Sequence, residues 1–269
     1  MRVLRELGAL RWVYDAAPRN LGDPPEMVRS IEEIWDDQNT FGVVIATPPE
    51  THRDITIAAL RAGKHVLVEK PMAMTLPEII SMKTAAERAG TVLMVGHLMR
   101  YHEGYRNLLA DMSKVGKLEY LYSHRLQQGR VQSDISCLWS LAPHDVDMMI
   151  GIAGMPVAVS CTHGPTRQPG IADIVTATME FKGGVRGHIF ISWLHSSRQR
   201  ELMVIGADGA ITMDQHSIAE PLKRELIHFI DCIKYGEQPM TGVEAGLNVV
   251  RVLSACATSM RREGERIWL

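Results

Sequence analysis

Along the first hundred residues, short apolar runs alternate with stretches whose apolar positions recur at helical spacing. This is the pattern of strands and helices wound into a parallel sheet. Leu10 to Tyr14 predicts a strand that stops at Asp15. Ser30 and Glu33 have the spacing of a capping box ahead of a short helix. Gly42 to Ala46 is an unbroken apolar run, as in a strand covered on both faces. It stops at Thr47-Pro48-Pro49, where two prolines cannot donate ladder hydrogen bonds. His52 to Ala62 reads as a helix closed by Gly63, and His65 to Val68 as a strand ending at Glu69-Lys70-Pro71. Thr75 and Glu78 cap a further helix that tolerates Pro77 in its first turn. Val92 to Gly96 is the last strand before a domain boundary around Arg100 to Glu103.

The second half changes character. Leu118 to Gln127, Ala158 to His163, Ile174 to Phe181, Val185 to Trp193, Leu202 to Ile205 and Ala210 to Met213 read as successive strands. Lys182-Gly183-Gly184 and Asp208-Gly209 are hairpin signals, which point to antiparallel pairing. Helices are expected after Pro143 to about Gly154, over Pro221 to Tyr235 and over Val243 to Glu263. The last packs on the sheet or returns to the first domain. The predicted fold is α/β: a Rossmann-like parallel domain (residues 1–100), then an α+β domain with a large, mostly antiparallel open sheet (101–269).

Length agrees with this division, since 269 residues suit roughly two domains of ~100–200 residues. A formal net charge of −2 gives no electrostatic reason to expect nucleic acid or an anionic membrane as partner. No apolar run approaches the ~18 residues of a membrane span, and Met-Arg-Val-Leu-Arg-Glu-Leu is too charged for a secretory signal. Cys137, Cys161, Cys232 and Cys256 are too far apart for a zinc site or disulfide framework, so buried thiols in a reducing cytoplasm are expected.

Ligands of doubly wound sheets bind at the carboxyl ends of the strands. Asp15, Thr47-Pro48-Pro49, Glu69-Lys70-Pro71 and Gly96-His97 all fall at such ends. Asp15 suits a ribose diol, or else a turn. Lys70, held toward the cleft by Pro71, can stabilise a developing alkoxide or shuttle a proton, or else is a solvated charge. His144 is an acid/base candidate at the apparent start of a helix, with Asp147 on the same face to orient it. Alternatively it bonds locally, with Asp145 and Asp147 as first-turn acids favouring the helix dipole. Arg100 and Tyr101 can meet an anionic ligand at the boundary, or form a surface hinge. Trp139 and Trp193 read as packing. The acid of a dinucleotide fold follows its Gly-rich loop by ~20 residues. Counting back from Asp15 leaves the chain, so the first strand and loop are expected to be missing, and Met1 to Leu7 matches the helix after the loop.

VVIATPPETH (Val43 to His52), AGKHVLVEKPMAMT (Ala62 to Thr75), VGHLMRY (Val95 to Tyr101) and SLAPHDVD (Ser140 to Asp147) together resemble the Gfo/Idh/MocA family of oxidoreductases. SLAPHDVD, ISWLH (Ile191 to His195) and EPLKRELIHFI (Glu220 to Ile230) look most like its UDP-N-acetyl-glucosaminuronate 3-dehydrogenases. The resemblance implies oxidation of a sugar or nucleotide-sugar hydroxyl to a ketone, in a cytoplasmic homodimer or homotetramer. It implies Asp15 on the adenosine ribose, with Thr47, Pro48 and His52 lining the dinucleotide cleft. Glu69 would lie near the nicotinamide ribose, Lys70 beside the reacting carbon, and His144 would be the acid/base. Arg100, Tyr101 and Asp147 are the candidates for substrate contact. An acid at Asp15 favours NAD over NADP. Three departures stand out: no Gly-x-Gly-x-x-Gly loop, Ser140 where the family often has an acid, and a short chain between Met213 and Pro221. The competing readings are a non-catalytic sugar- or partner-binding relative and a metal-dependent isomerase or lyase using His144 and Asp147.

Overall fold

Two sheets organise the chain, and one long helix is packed against both. The computed structural model describes residues 1–16, 26–128, 135–164, 166–214 and 220–269. Two short helices, α1 (Arg2–Glu6) and α2 (Glu32–Asp36), precede a parallel sheet of β1 (Gly42–Ile45), β2 (His65–Glu69) and β3 (Leu93–Gly96) in that spatial order. The crossover helices are α3 (His52–Arg61) and α4 (Leu76–Ala89), whose buried Ala59, Leu60, Ile79 and Met82 share a core with Val66 and Val68 of β2. The cap of α4 forms as its sequence predicts. Thr75 Oγ1 accepts from the Glu78 N–H, and the Glu78 carboxylate accepts from the Thr75 N–H at 2.9 Å.

Three local expectations are corrected. Leu10 to Tyr14 is not a strand, because Val13 alone bridges to Met27 in parallel, and a single bridge supplies no ladder for its neighbours. Arg11 and Trp12 turn instead to Asp37, with Trp12 Nε1 donating at 2.7 Å. The capping box before α2 is half made: Glu33 accepts from the Ser30 N–H at 2.9 Å, but no side chain caps the helix. The run Gly42 to Ala46 does form β1, yet β1 is an edge strand among the described residues and Val44 is 38% exposed.

The second part opens with α5 (Glu103–Ala110), β4 (Leu118–Gln128) and α6 (Cys137–Ala153). There follow β5 (Ala158–His163), β6 (Ile174–Glu180), β7 (Arg186–Ser192), β8 (Leu194–Gly206) and β9 (Gly209–Asp214). The chain closes with α7 (Pro221–Tyr235), α8 (Val243–Arg261) and β10 (Ile267–Trp268). The seven strands lie in the order β10-β5-β6-β7-β4-β8-β9, and every neighbouring pair is antiparallel except β4 with β7. Both predicted hairpins form. Most of the short connection between Met213 and Pro221 lies outside the described residues.

Two elements outrun their sequence signals. β8 starts at Leu194 because main-chain pairing with β4 reaches Gln199 and Arg200 and resumes at Leu194 opposite Gln128, beyond an irregularity in the register. Apolar alternation marks only its buried end. α6 begins at Cys137, six residues before the Pro143 expected to start it. An internal proline forfeits the bond to the residue four earlier and costs about 3 kcal/mol. Burial of Cys137, Leu138, Leu141 and Ala142 offsets that cost. The four cysteines are buried free thiols. No helix among the described residues is long and apolar enough to cross a membrane.

α8 bridges the two parts. Val250 belongs to the core of the parallel sheet, whereas Val249, Val252, Leu253 and Cys256 belong to that of the open sheet. Its approach requires Gly246, where a Cβ would stand 2.6 Å from Met72 Sδ and 3.1 Å from Met72 Cβ. Gly246→Ala is expected to lower stability by about 1–3 kcal/mol through overpacking. The check is a lower urea midpoint at unchanged slope.

Candidate active site at the carboxyl ends of the parallel strands

Lys70 leaves β2 and reaches the other part of the molecule. Its Nζ donates to the main-chain carbonyl of Ser140 at 2.8 Å, one turn before His144 on α6. Burial is the main influence lowering the Lys70 pKa, with Arg125 and Arg200 adding to it and Glu69 opposing. His144 is partly buried, and its Nδ1 is enclosed without a partner. Burial first, then the cations Lys70 and Arg125, hold it well below the usual histidine range. The ring is therefore neutral at physiological pH.

A third basic group stands beside these two, and its chemistry is not evident from the sequence. His97 follows β3, whose Gly96 is in register with Glu69, so Lys70 and His97 leave neighbouring strand ends. It is 1% exposed, and neither ring nitrogen has a partner among the described residues. Burial pushes its pKa down, with Asp147 opposing and Arg100 and Lys70 assisting. An unpartnered buried polar group costs about 1–3 kcal/mol, so two open nitrogens here mark a place that is not optimised for stability alone.

Buried charge pairs fix α6 around His144. Arg125 Nε donates to Asp145 at 2.6 Å, and Ser123 Oγ donates to the same carboxylate at 2.6 Å. Asp147, expected to orient His144, instead binds Arg100, which donates to both carboxylate oxygens at 2.7 and 2.9 Å and to the Asp147 carbonyl at 3.0 Å. Gly151 makes room for this, since a Cβ there would lie 2.2 Å from Arg100 Nη1 and 2.3 Å from the Tyr105 hydroxyl. The same pairing occupies the carboxylate that a His144/Asp147 metal site would use. Tyr101 is buried, with its hydroxyl 3.5 Å from Thr241 Oγ1 and its ring against His228 of α7. Arg100, Tyr101 and Asp147 thus make internal contacts.

The remaining candidates surround Lys70. His52 is buried and clamps two loops, with Nδ1 3.0 Å from the Pro71 carbonyl and Nε2 2.9 Å from the Thr47 carbonyl. Both nitrogens are engaged, so His52 acts by positioning the strand ends. Thr47 and Pro48 are exposed at the end of β1, and Thr47 Oγ1 lies 2.6 Å from Thr51 Oγ1. Asp15 is exposed two residues beyond the Val13 bridge. Glu69 and Lys70 with Thr47 offer polar groups suited to the nicotinamide-ribose end of a dinucleotide. The sequence holds no Gly-x-Gly-x-x-Gly to cradle a pyrophosphate.

A family model described as "Oxidoreductase family, NAD-binding Rossmann fold" matches residues 17–97, and the "GFO/IDH/MocA C-terminal domain" matches residues 111–212. The chain belongs to the Gfo/Idh/MocA family. The 1,5-anhydro-D-fructose reductase of Ensifer adhaerens is 31% identical over 202 residues, covering 68% of this chain and 60% of its own length. The UDP-N-acetylglucosamine 3-dehydrogenase of Acidithiobacillus ferrooxidans is 29% identical over 64% of this chain and 55% of its own. The chain therefore spans little more than half the length of these relatives. A solved structure from Magnetospirillum magnetotacticum MS-1 superposes with a TM-score of 0.87 at 28% identity, covering 95% of this chain and 94% of that one. The family resemblance drawn from the Glu-Lys-Pro and SLAPHDVD segments is correct.

Glu225 of α7 is a further buried group absent from the sequence reading. Its Oε1 has no partner, and burial followed by the Glu69 charge pushes its carboxyl up to about 9. A proton held more tightly in the folded chain contributes stability in full below 4.5, and that contribution is lost as the pH rises through about 9. Wild-type stability relative to Glu225→Gln should therefore fall between those limits, which urea unfolding across the range will read. A flat difference would mean that Glu225 is ionised throughout.

Proposed function

We propose that this chain is a NAD-dependent oxidoreductase that oxidises a hydroxyl of a sugar or nucleotide-sugar, of the UDP-sugar acid type, to a ketone. The observation that carries the reading is the meeting of Lys70 and His144 across the two parts of the molecule, through the Lys70–Ser140 bond. A bound nicotinamide supplies the hydride acceptor. Lys70 donates to the reacting oxygen and stabilises negative charge as it develops. The neutral His144 accepts the hydroxyl proton. Glu69 holds the nicotinamide ribose, Asp15 the adenosine ribose, and Thr47 and Pro48 line the cleft that His52 braces. The acid at Asp15 favours NAD over NADP.

Residues 1–100 form the nucleotide-binding part and 101–269 the substrate-binding and oligomerisation part, a division supported by the spans of the two family matches. The buried free thiols support a cytoplasmic location. A homodimer or homotetramer through the open sheet is supported by the half-buried ring cluster of Tyr122, His124 and His188 on its outer face. The alternative reading is a non-catalytic relative that binds a sugar or partner on the same scaffold.

A titration with NADH, followed by nicotinamide fluorescence and tryptophan quenching, separates the two. Saturable binding weakened by Asp15→Ala is expected. Lys70→Ala is then expected to lower kcat for sugar oxidation by about 10²–10⁴-fold. A folded chain that binds no NADH would reject the catalytic reading.

A further inference from the structure

Arg125 and Arg200 stand directly opposite each other on β4 and β8. Residues so paired share one face of the sheet, with Cβ atoms roughly 5 Å apart, and like charges there repel. The shared face is the one toward α6, since Ser123 and Arg125 both reach Asp145 from it. Leu202, which pairs with Ser123 on that same face, is fully buried. The repulsion is compensated for one partner only. Asp145 takes up Arg125, whereas among the described residues Arg200 makes no ion pair and its buried Nε has no hydrogen-bond partner. Burial first, then the neighbouring Arg125 and Arg198, push the Arg200 pKa down to about 10, with Asp145 alone opposing. Lys70 and His144 both feel the charge of Arg200, so this surplus of positive charge borders the proposed reaction centre.

A half-buried guanidinium with a buried, unpartnered Nε, facing a second guanidinium, lacks an anion among the described residues. The edge carrying Nε is one that grips a carboxylate or phosphate through two parallel hydrogen bonds. We infer that Arg200 anchors an anion subsite beside Lys70 and His144, which takes a carboxylate or phosphate group carried by the substrate. The inference rests on the oxidoreductase reading for the word substrate, and on the cross-strand arginine pair for the subsite itself. It makes the preferred substrate an anionic sugar, and it places discrimination against neutral sugars in β8.

The test uses the whole chain with NADH present and follows tryptophan fluorescence during titration with D-glucuronate, its neutral amide D-glucuronamide, and UDP-glucose. Arg200→Gln is expected to weaken binding of an anionic ligand about tenfold or more. Arg200→Lys should restore part of the loss, and glucuronamide should bind the same in all three proteins. Loss with glucuronate assigns the subsite to the sugar's own carboxylate, and loss with UDP-glucose alone assigns it to the diphosphate. Removing one of two facing cations should leave the melting temperature of Arg200→Gln equal or higher, which separates a lost contact from a damaged fold. Failure of both anions to bind wild type, equal binding to wild type and Arg200→Gln, or a matching loss with glucuronamide would overturn the inference. With NAD+ in place of NADH, Arg200-dependent anion binding without any formation of NADH would sink the oxidoreductase reading and leave the subsite standing.

Discussion

A lysine that crosses from one sheet to the helix packed on the other sets the geometry of the candidate site. Lys70 is the first residue beyond β2, and its ammonium is bound to a carbonyl in the first turn of α6. That bond ties the carboxyl end of the parallel sheet to His144. The supporting structure serves the same end. His52 pins the loops after β1 and β2 to each other, and Gly246 lets α8 close on Met72, two residues past Lys70. The lysine is thereby preorganised and largely removed from water, where its charge acts more strongly on a developing alkoxide than it would in solvent.

Around that bond, α6 buries an unusual amount of charge. Asp145 and Asp147 are successive acids on neighbouring faces of the helix, each satisfied by an arginine from a different element, Arg125 of β4 and Arg100 at the end of the first part. Buried pairs of this kind add little net stability over apolar packing, although breaking one is costly. Their effect here is positional, because they set the rotation of α6 and hence the direction of His144. Beside these pairs, His97, His144 Nδ1 and Arg200 Nε have no partner among the described residues.

Much of this was legible in the residues. The α4 cap, the two hairpins, all six predicted strands in the second part and the family itself could be read because each depends on local chemistry: a side chain three residues from its acceptor, a glycine able to take positive φ, an apolar run. The errors have equally definite causes. Leu10 to Tyr14 has the composition of a strand but only a single bridging partner. Pro143 reads as a helix start because it cannot donate, yet tertiary burial carries the helix back to Cys137. Asp147 sits at orienting distance along the helix, but Arg100, 47 residues earlier, takes it first.

The sequence by itself determined which groups would stand at strand ends, since punctuation by Thr47-Pro48-Pro49, Lys70-Pro71 and Gly96-His97 is a property of consecutive residues. It also determined the family, through the Glu-Lys-Pro and SLAPHDVD segments. Only the tertiary structure decided which charges would be paired and which left open. The partners of Asp145, Asp147, Lys70 and Arg200 lie 20, 47, 70 and 75 residues away, respectively, by register and packing. No local pattern encodes such separations, because a salt bridge or an orphaned guanidinium depends on how sheets stack, on strand register and on what water is excluded from.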